Sequence, residues 1–228
     1  MQELIPYVPL LLRGTALTVA LALCGMALAT AIGLSCAALR LIGGRAGRGV
    51  TLAYTTLVRG IPDLVMVLLV YFGGQRLLND IGALLGWEHV GLSPFVAGVL
   101  ALGIIFGAYL AETFRGAFQA VPTGQGDAAR ALGLARGIAF RRVLLPQMLH
   151  HALPGYANVW MVLVKSTAVV SVIGLGDLVG VANDVGKSLR SPFVFFGFAL
   201  LAYLAITFVS QRLLTKVERR LTPPGHAA

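Results

Sequence analysis

The sequence predicts an all-α integral membrane protein, a helical bundle with five transmembrane helices, and three observations support this fold class. Of the 228 residues, 57% are hydrophobic and only 12% are charged. The mean hydropathy of +0.85 lies far outside the range of soluble domains. Five apolar stretches are each long enough to cross ~30 Å of hydrocarbon as a helix. Residues 1–228 are therefore predicted to form a single transmembrane domain.

The five predicted spans differ in regularity. The second is long and is interrupted by Arg-Gly-Ile-Pro at 59–62, and the fourth carries a lone Lys165. Between the third and fourth spans, residues 115–153 form the longest segment that is polar enough to leave the bilayer. The spans cover residues about 15–39, 51–77, 93–114, 154–176 and 192–214.

The distribution of basic residues predicts the orientation of the chain. Thirteen of the 18 Lys and Arg residues fall on one side of the five predicted spans, four fall on the other, and Lys165 is internal. Because cytoplasmic loops of membrane proteins carry the excess of positive charge, we expect the N-terminus outside and the C-terminus inside. This orientation places residues 115–153 in the cytoplasm. The basic residues show no interleaving with aromatic residues, so nucleic acid is not an expected partner.

Small residues inside the spans predict close helix packing. The chain has 28 glycines, and those within spans let helix backbones approach where no hydrophobic force separates helix from lipid. A translocation path lined by only five helices would be narrow, so a partner subunit is the natural expectation. The glycines that we expect at helix contacts are Gly25, Gly33, Gly98, Gly103 and Gly107.

The sequence contains no pattern typical of an enzyme or of a metal site. Lys165-Ser166-Thr167 is similar to the end of a phosphate-binding loop, but Val164 stands where that loop requires glycine. No nucleophile–base pair or carboxylate pair stands out. We therefore expect no catalytic activity and no cofactor in this chain, and any energy for transport must come from an ion gradient or another subunit. Four histidines lack metal-ligand spacing: His89, His150, His151 and His226.

The segment 127–146 reads DAARALGLARGIAFRRVLLP and predicts a short helix of small residues that Gly133 ends. Pro146 then restarts the chain towards the fourth span. A short helix with small and apolar side chains is suited to a groove on another protein. The alternative is an amphipathic helix that rests on the lipid surface, held by its arginines. The residue pattern leaves both interpretations open.

The spacing of this segment resembles the EAA motif of permease subunits of ATP-binding-cassette importers. The resemblance extends to RGIP followed by an apolar run ending in YFG, AYLAETFRGAF at 108–118, KST at 165–167 and GLGDL at 174–178, which are similar to the polar-amino-acid subgroup. Asp replaces the usual Glu of the motif. The matching positions are Asp127, Ala128, Ala129, Gly133, Val143, Leu145 and Pro146.

The resemblance implies a type I importer fold in the bacterial inner membrane, with a coupling segment at 124–146 that docks into an ATPase subunit. It implies a heterodimer with a second permease subunit, an ATPase dimer that uses ATP and Mg²⁺, and an extracytoplasmic solute-binding protein. The implied substrates are the basic amino acids histidine, lysine, arginine and ornithine. Octopine, nopaline or other polar amino acids are the alternative.

Asp63 is the strongest candidate for a substrate-binding residue. It follows a helix interruption inside a predicted span, where freed backbone groups line cavities in transporters. A buried carboxylate suits a cationic substrate side chain, and a guanidinium binds two carboxylate oxygens. The alternative is a structural pair with Arg59, four residues earlier, although Pro62 breaks the regular helix between them.

Further candidates lie on the third and fourth spans. Glu112 is expected either to pair with Arg115 or to meet the substrate or gate the path. Lys165 requires an anion or several carbonyl groups in mid-span, and Glu112, Asp63 or a substrate carboxylate are its candidates, with a structural pair favoured. Asn158 and Ser166 add hydrogen-bonding groups to the fourth span, although such residues also bond between helices without contacting a ligand. The predicted substrate-binding residues are Asp63, Glu112, Arg59, Lys165, Ser166 and Asn158.

Two other function classes are compatible with the residue pattern. In an ion-coupled secondary carrier, the intramembrane residues Asp63, Glu112 and Lys165 would relay protons without any ATPase. A membrane scaffold would use the cytoplasmic helix as an adaptor. Copurification of an ATPase separates the importer from the carrier, and substrate-stimulated ATP hydrolysis separates it from the scaffold.

Overall fold

A computed structural model describes residues 5–86 and 91–221, and every regular element in these two ranges is helical. Five helical segments are long and apolar enough to cross a membrane, so the predicted all-α fold with five spans is confirmed. These segments are Ile5–Arg40, Asp63–Leu85, Pro94–Ala120, Arg136–Ile173 and Pro192–Arg219.

The described ranges contain ten α-helices, joined in places by tighter or wider helical turns. A 3₁₀ turn precedes the first helix and a longer one (Thr167–Ile173) follows the eighth, while π turns occupy Leu69–Gly73 and Phe140–Leu144. The α-helices are α1 (Val8–Ile42), α2 (Gly44–Arg59), α3 (Asp63–Leu68), α4 (Gly74–Leu85), α5 (Pro94–Ala120), α6 (Thr123–Ala131), α7 (Arg136–Ala139), α8 (Leu145–Ser166), α9 (Leu178–Ser188) and α10 (Pro192–Leu221).

Helices α1 and α5 form the centre of the bundle and run parallel to each other. Gly25 faces Leu102 near one end of the contact, and Gly107 faces Ile32 further along both helices. The predicted role of the five span glycines is confirmed, because a Cβ atom at any of them would lie 2.5 to 3.3 Å from a neighbouring helix's side chain. The glycines are Gly25, Gly33, Gly98, Gly103 and Gly107.

Helix α8 packs antiparallel to α5 and completes the main core. Gly155 of α8 lies against Thr113, and Val170, in the 3₁₀ turn after α8, lies against Gly98. The Tyr156 and Thr30 hydroxyls share a hydrogen bond of 3.2 Å that ties α8 to α1. A second, smaller core joins the start of α1 to α9 and α10. Burial of these apolar residues between helices fixes the relative positions of α1, α5 and α8.

The second span differs from the predicted 51–77. Helix α2 ends at Arg59, Pro62 adopts an extended backbone conformation (φ −59°, ψ 138°), and the span starts at Asp63 and continues to Leu85. Proline has no N–H to donate to a helix, and the extended conformation of Pro62 separates α2 from α3. Helix α2 is a separate amphipathic helix that buries one face only, at Gly47, Thr51, Thr55 and Val58.

The fourth span also differs from the predicted 154–176, because helix α8 begins at Leu145 and contains Pro154 in its interior. Interior proline is tolerated in membrane helices where neighbouring groups satisfy the freed carbonyl. The other spans keep their predicted centres, but their helices extend beyond the predicted limits.

Candidate functional site

The interruption between α2 and α3 places Asp63 in the first turn of a new helix. Gly60 and Ile61 leave the helical path, and Met66 N–H donates to the Pro62 carbonyl at 3.1 Å as α3 begins. The N-terminal end of a helix carries partial positive charge from its free N–H groups, which favours a carboxylate there. The break thus places the Asp63 carboxylate at the N-terminal end of α3.

Asp63 meets the fourth span directly. Ser166, the last residue of α8, donates a hydrogen bond of 3.3 Å from Oγ to Asp63 Oδ2. The antiparallel pairing of α8 with α5 sets Ser166 roughly level with Leu102, about 12 Å along α5 from Pro94 at ~1.5 Å per residue. Leu102 lies within the third span, so the Asp63–Ser166 contact is level with the interior of that span. The structure thus brings together two of the predicted substrate-binding residues.

Arg59 does not pair with Asp63. Its guanidinium lies over the ring of Tyr109, 5.1 Å from the ring centroid, and no ion pair among the described residues joins it to Asp63. The extended Pro62 separates α2 from α3, so the one-turn spacing that would align the two side chains is lost. The alternative interpretation of Asp63 as a structural partner of Arg59 is therefore wrong for this chain. Nothing in the sequence around Tyr109 predicts its contact with Arg59.

The structural pair favoured for Lys165 is absent from the described residues. Lys165 is exposed on the surface of the bundle, and within the described residues it forms no ion pair with Glu112, Asp63 or any other acid. Successive residues of a helix point ~100° apart, so Ser166 faces Asp63 while Lys165 faces outwards. Asn158, seven residues earlier and on the same face, is also exposed. Helix α8 therefore carries a polar stripe, defined by Asn158 and Lys165, at membrane depth.

Glu112 lies in a different cluster, towards the end of α5 that leads into the segment 115–153. It forms an ion pair with Arg115 at 2.7 Å, which is one of the two predicted alternatives. It forms a second ion pair with Arg40 of α1 at 3.0 Å. Arg115 also donates to Gln119 at 2.6 Å. The Arg40 contact was not predicted, because it depends on the parallel packing of α1 against α5.

The coupling segment contains two short helices, α6 and α7, before α8 begins. Asp127 pairs with Arg130 on the surface of α6, Ala128 is exposed, and Ala129 is buried. Gly133 has φ +77°, a left-handed conformation that ends α6. Leu145 and Pro146 form the start of α8.

An apolar cavity of about 660 Å³ lies between α6 and the adjoining ends of α5, α7 and α8. Phe118, Pro122, Phe140 and Met148 are among the residues that line it. Leu132, just after α6, is 82% exposed. Small side chains on α6 beside an exposed leucine give this segment a surface suited to contact with another protein.

Asp177 is a buried carboxyl group that sequence reasoning did not single out. It caps α9 by accepting a hydrogen bond of 3.1 Å from Gly180 N–H, while its Oδ2 has no hydrogen-bond partner among the described residues. Burial raises the pKa of the Asp177 carboxyl, and the hydrogen bond from the Gly180 N–H acts in the opposite direction. An aspartate directly before a helix is the N-cap signal that would have identified it.

No group of three or more His, Cys, Asp or Glu side chains within 5–86 and 91–221 is arranged to hold a metal ion. His150 and His151 lie side by side, with ring centroids 5.5 Å apart. His89 and His226 lie outside the described residues.

Comparison with known proteins gives consistent matches over nearly the whole chain. The family described as binding-protein-dependent transport system inner membrane component matches residues 9–223. The histidine/lysine/arginine/ornithine transport system permease protein HisQ of Salmonella typhimurium is 45% identical over 210 residues, 92% of each chain. The octopine transport system permease protein OccQ of Agrobacterium tumefaciens is 40% identical over 211 residues, 92% of this chain and 89% of that one.

A solved structure matches as well. The crystal structure of an amino acid ABC transporter with histidines aligns with a TM-score of 0.80 and 32% sequence identity, and covers 96% of this chain and 97% of that chain. This chain therefore shares the arrangement of its helices with a subunit of an amino acid ABC transporter.

Proposed function

Because this chain belongs to the family of binding-protein-dependent transport system inner membrane components, we propose that it is the permease subunit of an ATP-driven importer of basic amino acids. The chain is a multi-pass inner-membrane permease, and the proposal concerns its substrates, its partners and its site. Histidine, lysine, arginine and ornithine are the proposed substrates, supported by the 45% identity with a permease named for them.

The observation that carries the substrate proposal is the environment of Asp63. Its carboxylate lies level with the interior of the third span, and Ser166, a neutral donor, supplies its one side-chain hydrogen bond among the described residues. An ionised group at this depth costs several kcal/mol unless it is paired or used. A cationic amino acid side chain passing the helix break supplies the missing positive charge. Asp63 is therefore proposed to contact the substrate cation, with Ser166 holding the carboxylate in place.

Lys165 and Asn158 are proposed to face the translocation path or the second permease subunit. Both are exposed on this chain alone, and a lysine exposed to hydrocarbon is costly. A heterodimer that brings a second permease against the polar stripe of α8 removes the lysine from lipid. In the path, Lys165 is suited to the substrate carboxylate. Arg59 lies four residues before Asp63, across the break at Pro62, and is proposed to line the same path, whereas Glu112, held by Arg40 and Arg115, is proposed as part of its inner end.

ATP and Mg²⁺ are proposed to act in a separate ATPase dimer, and this chain is proposed to hold no cofactor. The coupling segment at 124–146 is the proposed docking element, through the exposed Asp127 and Ala128 and the turn at Gly133, with Ala129 supporting α6 from its buried side. Leu145 and Pro146 connect this element rigidly to α8, which carries Ser166 and Lys165. An extracytoplasmic solute-binding protein is proposed to deliver the substrate.

The proposed orientation follows from the charges. An outside N-terminus and an inside C-terminus place the arginine-rich segment 115–153 in the cytoplasm, where an ATPase is available.

Octopine is a second candidate substrate, favoured by the 40% identity with an octopine permease. The two candidates are separated by direct competition for uptake.

The test uses proteoliposomes with the complete complex, comprising both permease subunits, the ATPase dimer and the binding protein. Uptake of labelled arginine, with histidine, octopine and glutamine as competitors, is measured beside ATP hydrolysis for the wild type and Asp63→Asn. A lost charge-assisted contact worth about 1.5–3 kcal/mol lowers uptake about ten- to hundredfold, while basal ATP hydrolysis stays unchanged.

Asp80→Asn is the matched control, because Asp80 is an exposed acid on α4 whose nearest cation is Arg76 at 3.9 Å. Its uptake is expected to equal that of the wild type. Unchanged uptake in Asp63→Asn would show that the carboxylate is structural, and would shift selectivity to the partner permease or the binding protein. Arginine uptake without any ATPase would contradict the importer itself.

A further inference from the structure

A basic cavity of about 420 Å³ opens where α1, α2 and α5 meet. Arg40 at the end of α1, Arg48 near the start of α2 and Arg115 near the end of α5 all line it. The membrane-spanning segments that contribute to it end at Arg40 and Ala120. The cavity therefore lies at the boundary between hydrocarbon and water, on the side of the segment 115–153.

The lining of the cavity has an excess of positive charge. Its one carboxylate, Glu112, is already held by Arg40 at 3.0 Å and by Arg115 at 2.7 Å. Arg48 is exposed, and in the part of the chain that the structure describes it forms no ion pair. Three guanidinium groups against one carboxylate leave two positive charges for an anion to neutralise.

A buried hydrogen-bond donor also lacks an acceptor here. The Nε–H group of Arg40 is buried and has no hydrogen-bond partner within the described residues, although the same guanidinium pairs with Glu112 through Nη2. A buried donor without an acceptor costs about 1–3 kcal/mol. A phosphate group presents several acceptor oxygens and suits the planar fork of an arginine.

Apolar side chains line the same cavity and indicate which phosphate it takes. Leu52 is 55% exposed and Phe118 is 37% exposed, and both border the arginines. A free phosphate ion has no apolar atoms to pack against Leu52 and Phe118, whereas a phospholipid places its glycerol and upper acyl chains there. Basic pockets between membrane helices at the cytoplasmic side are suited to anionic headgroups. We propose that this cavity binds the phosphate of an anionic phospholipid headgroup.

The test measures lipid binding to the complete, detergent-purified complex by native mass spectrometry. Phosphatidylglycerol is the anionic probe, phosphatidylcholine the neutral one, and inorganic phosphate the test for a free ion. Arg48→Gln removes an arginine that makes no ion pair, so the fold should survive. Arg45→Gln removes the same charge from an exposed position of α2 that does not line the cavity.

We expect Arg48→Gln to weaken phosphatidylglycerol binding about fivefold to tenfold, as for the loss of one basic residue at an anionic lipid surface. Arg45→Gln and the phosphatidylcholine affinity should stay as in the wild type, and inorganic phosphate should not displace the lipid. Equal losses in both variants would reveal diffuse surface attraction and overturn the site. Displacement of the lipid by inorganic phosphate, with the same dependence on Arg48, would overturn the lipid as its occupant.

Discussion

Ser166 donates a hydrogen bond of 3.3 Å to Asp63, and this contact joins the end of α8 to the start of α3. Both residues lie where a helix changes character: α3 starts at Asp63 after a proline break, and α8 passes into a 3₁₀ turn after Ser166. The segment 124–146 leads into α8, and Ser166 is the last residue of that helix. Helix α8 therefore connects the proposed docking surface to the carboxylate that is proposed to hold the substrate.

The first prediction concerns the coupling between these two residues. Ser166→Ala removes the donor that orients Asp63, and we expect the KM for arginine uptake to rise about fivefold, corresponding to ~1 kcal/mol. In the Asp63→Asn background the same change should add little, because the oriented charge is already gone. Uptake kinetics of the two single variants and the double variant measure this coupling.

Ser35→Ala is the control, since Ser35 is exposed and bonds only to the Ala31 carbonyl of its own helix. Additive effects of Ser166→Ala and Asp63→Asn would show that the serine acts independently of the carboxylate.

The second prediction concerns the packing of α1 against α5. A Cβ atom at Gly103 would lie 2.5 Å from Leu28, so Gly103→Ala should destabilise the protein by about 1–3 kcal/mol through overpacking. Thermal unfolding in detergent, followed by size-exclusion chromatography of the soluble fraction, measures the loss.

Gly116→Ala on the same helix is the matched control, because nothing lies within 4 Å of its Cβ position. This variant should be as stable as the wild type or more stable, since alanine favours a helix by up to ~1 kcal/mol over glycine. Equal stability of the two variants would contradict the close contact between α1 and α5.

The third prediction concerns the turn that ends α6. Gly133 has φ +77°, where an alanine costs roughly 1–2 kcal/mol, although no neighbouring atom would obstruct its Cβ. Gly133→Ala should therefore alter the proposed docking surface and reduce ATP hydrolysis stimulated by the binding protein, while the free energy of unfolding falls by no more than about 1–2 kcal/mol. Gly137→Ala, in the adjoining helix without positive φ, should retain the stimulation. Full stimulation in Gly133→Ala would exclude this turn from coupling.

The fourth prediction concerns Asp177 and pH. Since burial raises its pKa in the folded state, the native protein binds more protons than the unfolded chain between the ordinary aspartate pKa and this higher value. The free energy of unfolding should therefore fall as the pH rises through that window. Asp177→Asn keeps an oxygen to cap α9 and has no charge to bury, so its stability should depend less on pH. Unfolding temperatures measured from about pH 4 to pH 8 test this.

Asp177→Ala separates the cap from the charge. Relative to Asp177→Asn, loss of the bond to Gly180 N–H should cost about 0.5–2 kcal/mol at every pH. A pH profile of Asp177→Asn identical to that of the wild type would show that another group titrates in this range.

The sequence by itself determined which parts of the chain enter the membrane and where they break. Apolar composition identified the five spans, Pro62 marked the interruption before Asp63, and the span glycines marked the surfaces at which α1 and α5 meet. These features depend on local properties, namely the free energy of transfer to lipid, the missing N–H of proline and the missing Cβ of glycine.

Only the tertiary structure decided which side chains meet. Sequence proximity suggested Arg59 for Asp63, whereas the structure supplies Ser166, and the candidate partners of Lys165 face elsewhere. The contact of Glu112 with Arg40 requires two helices distant in sequence to run parallel in a fixed register. A shift of one residue rotates a helical side chain by ~100°, so composition and spacing along one helix do not determine contacts between helices. Packing between the helices sets that rotation, and with it the position of every charge in the bundle.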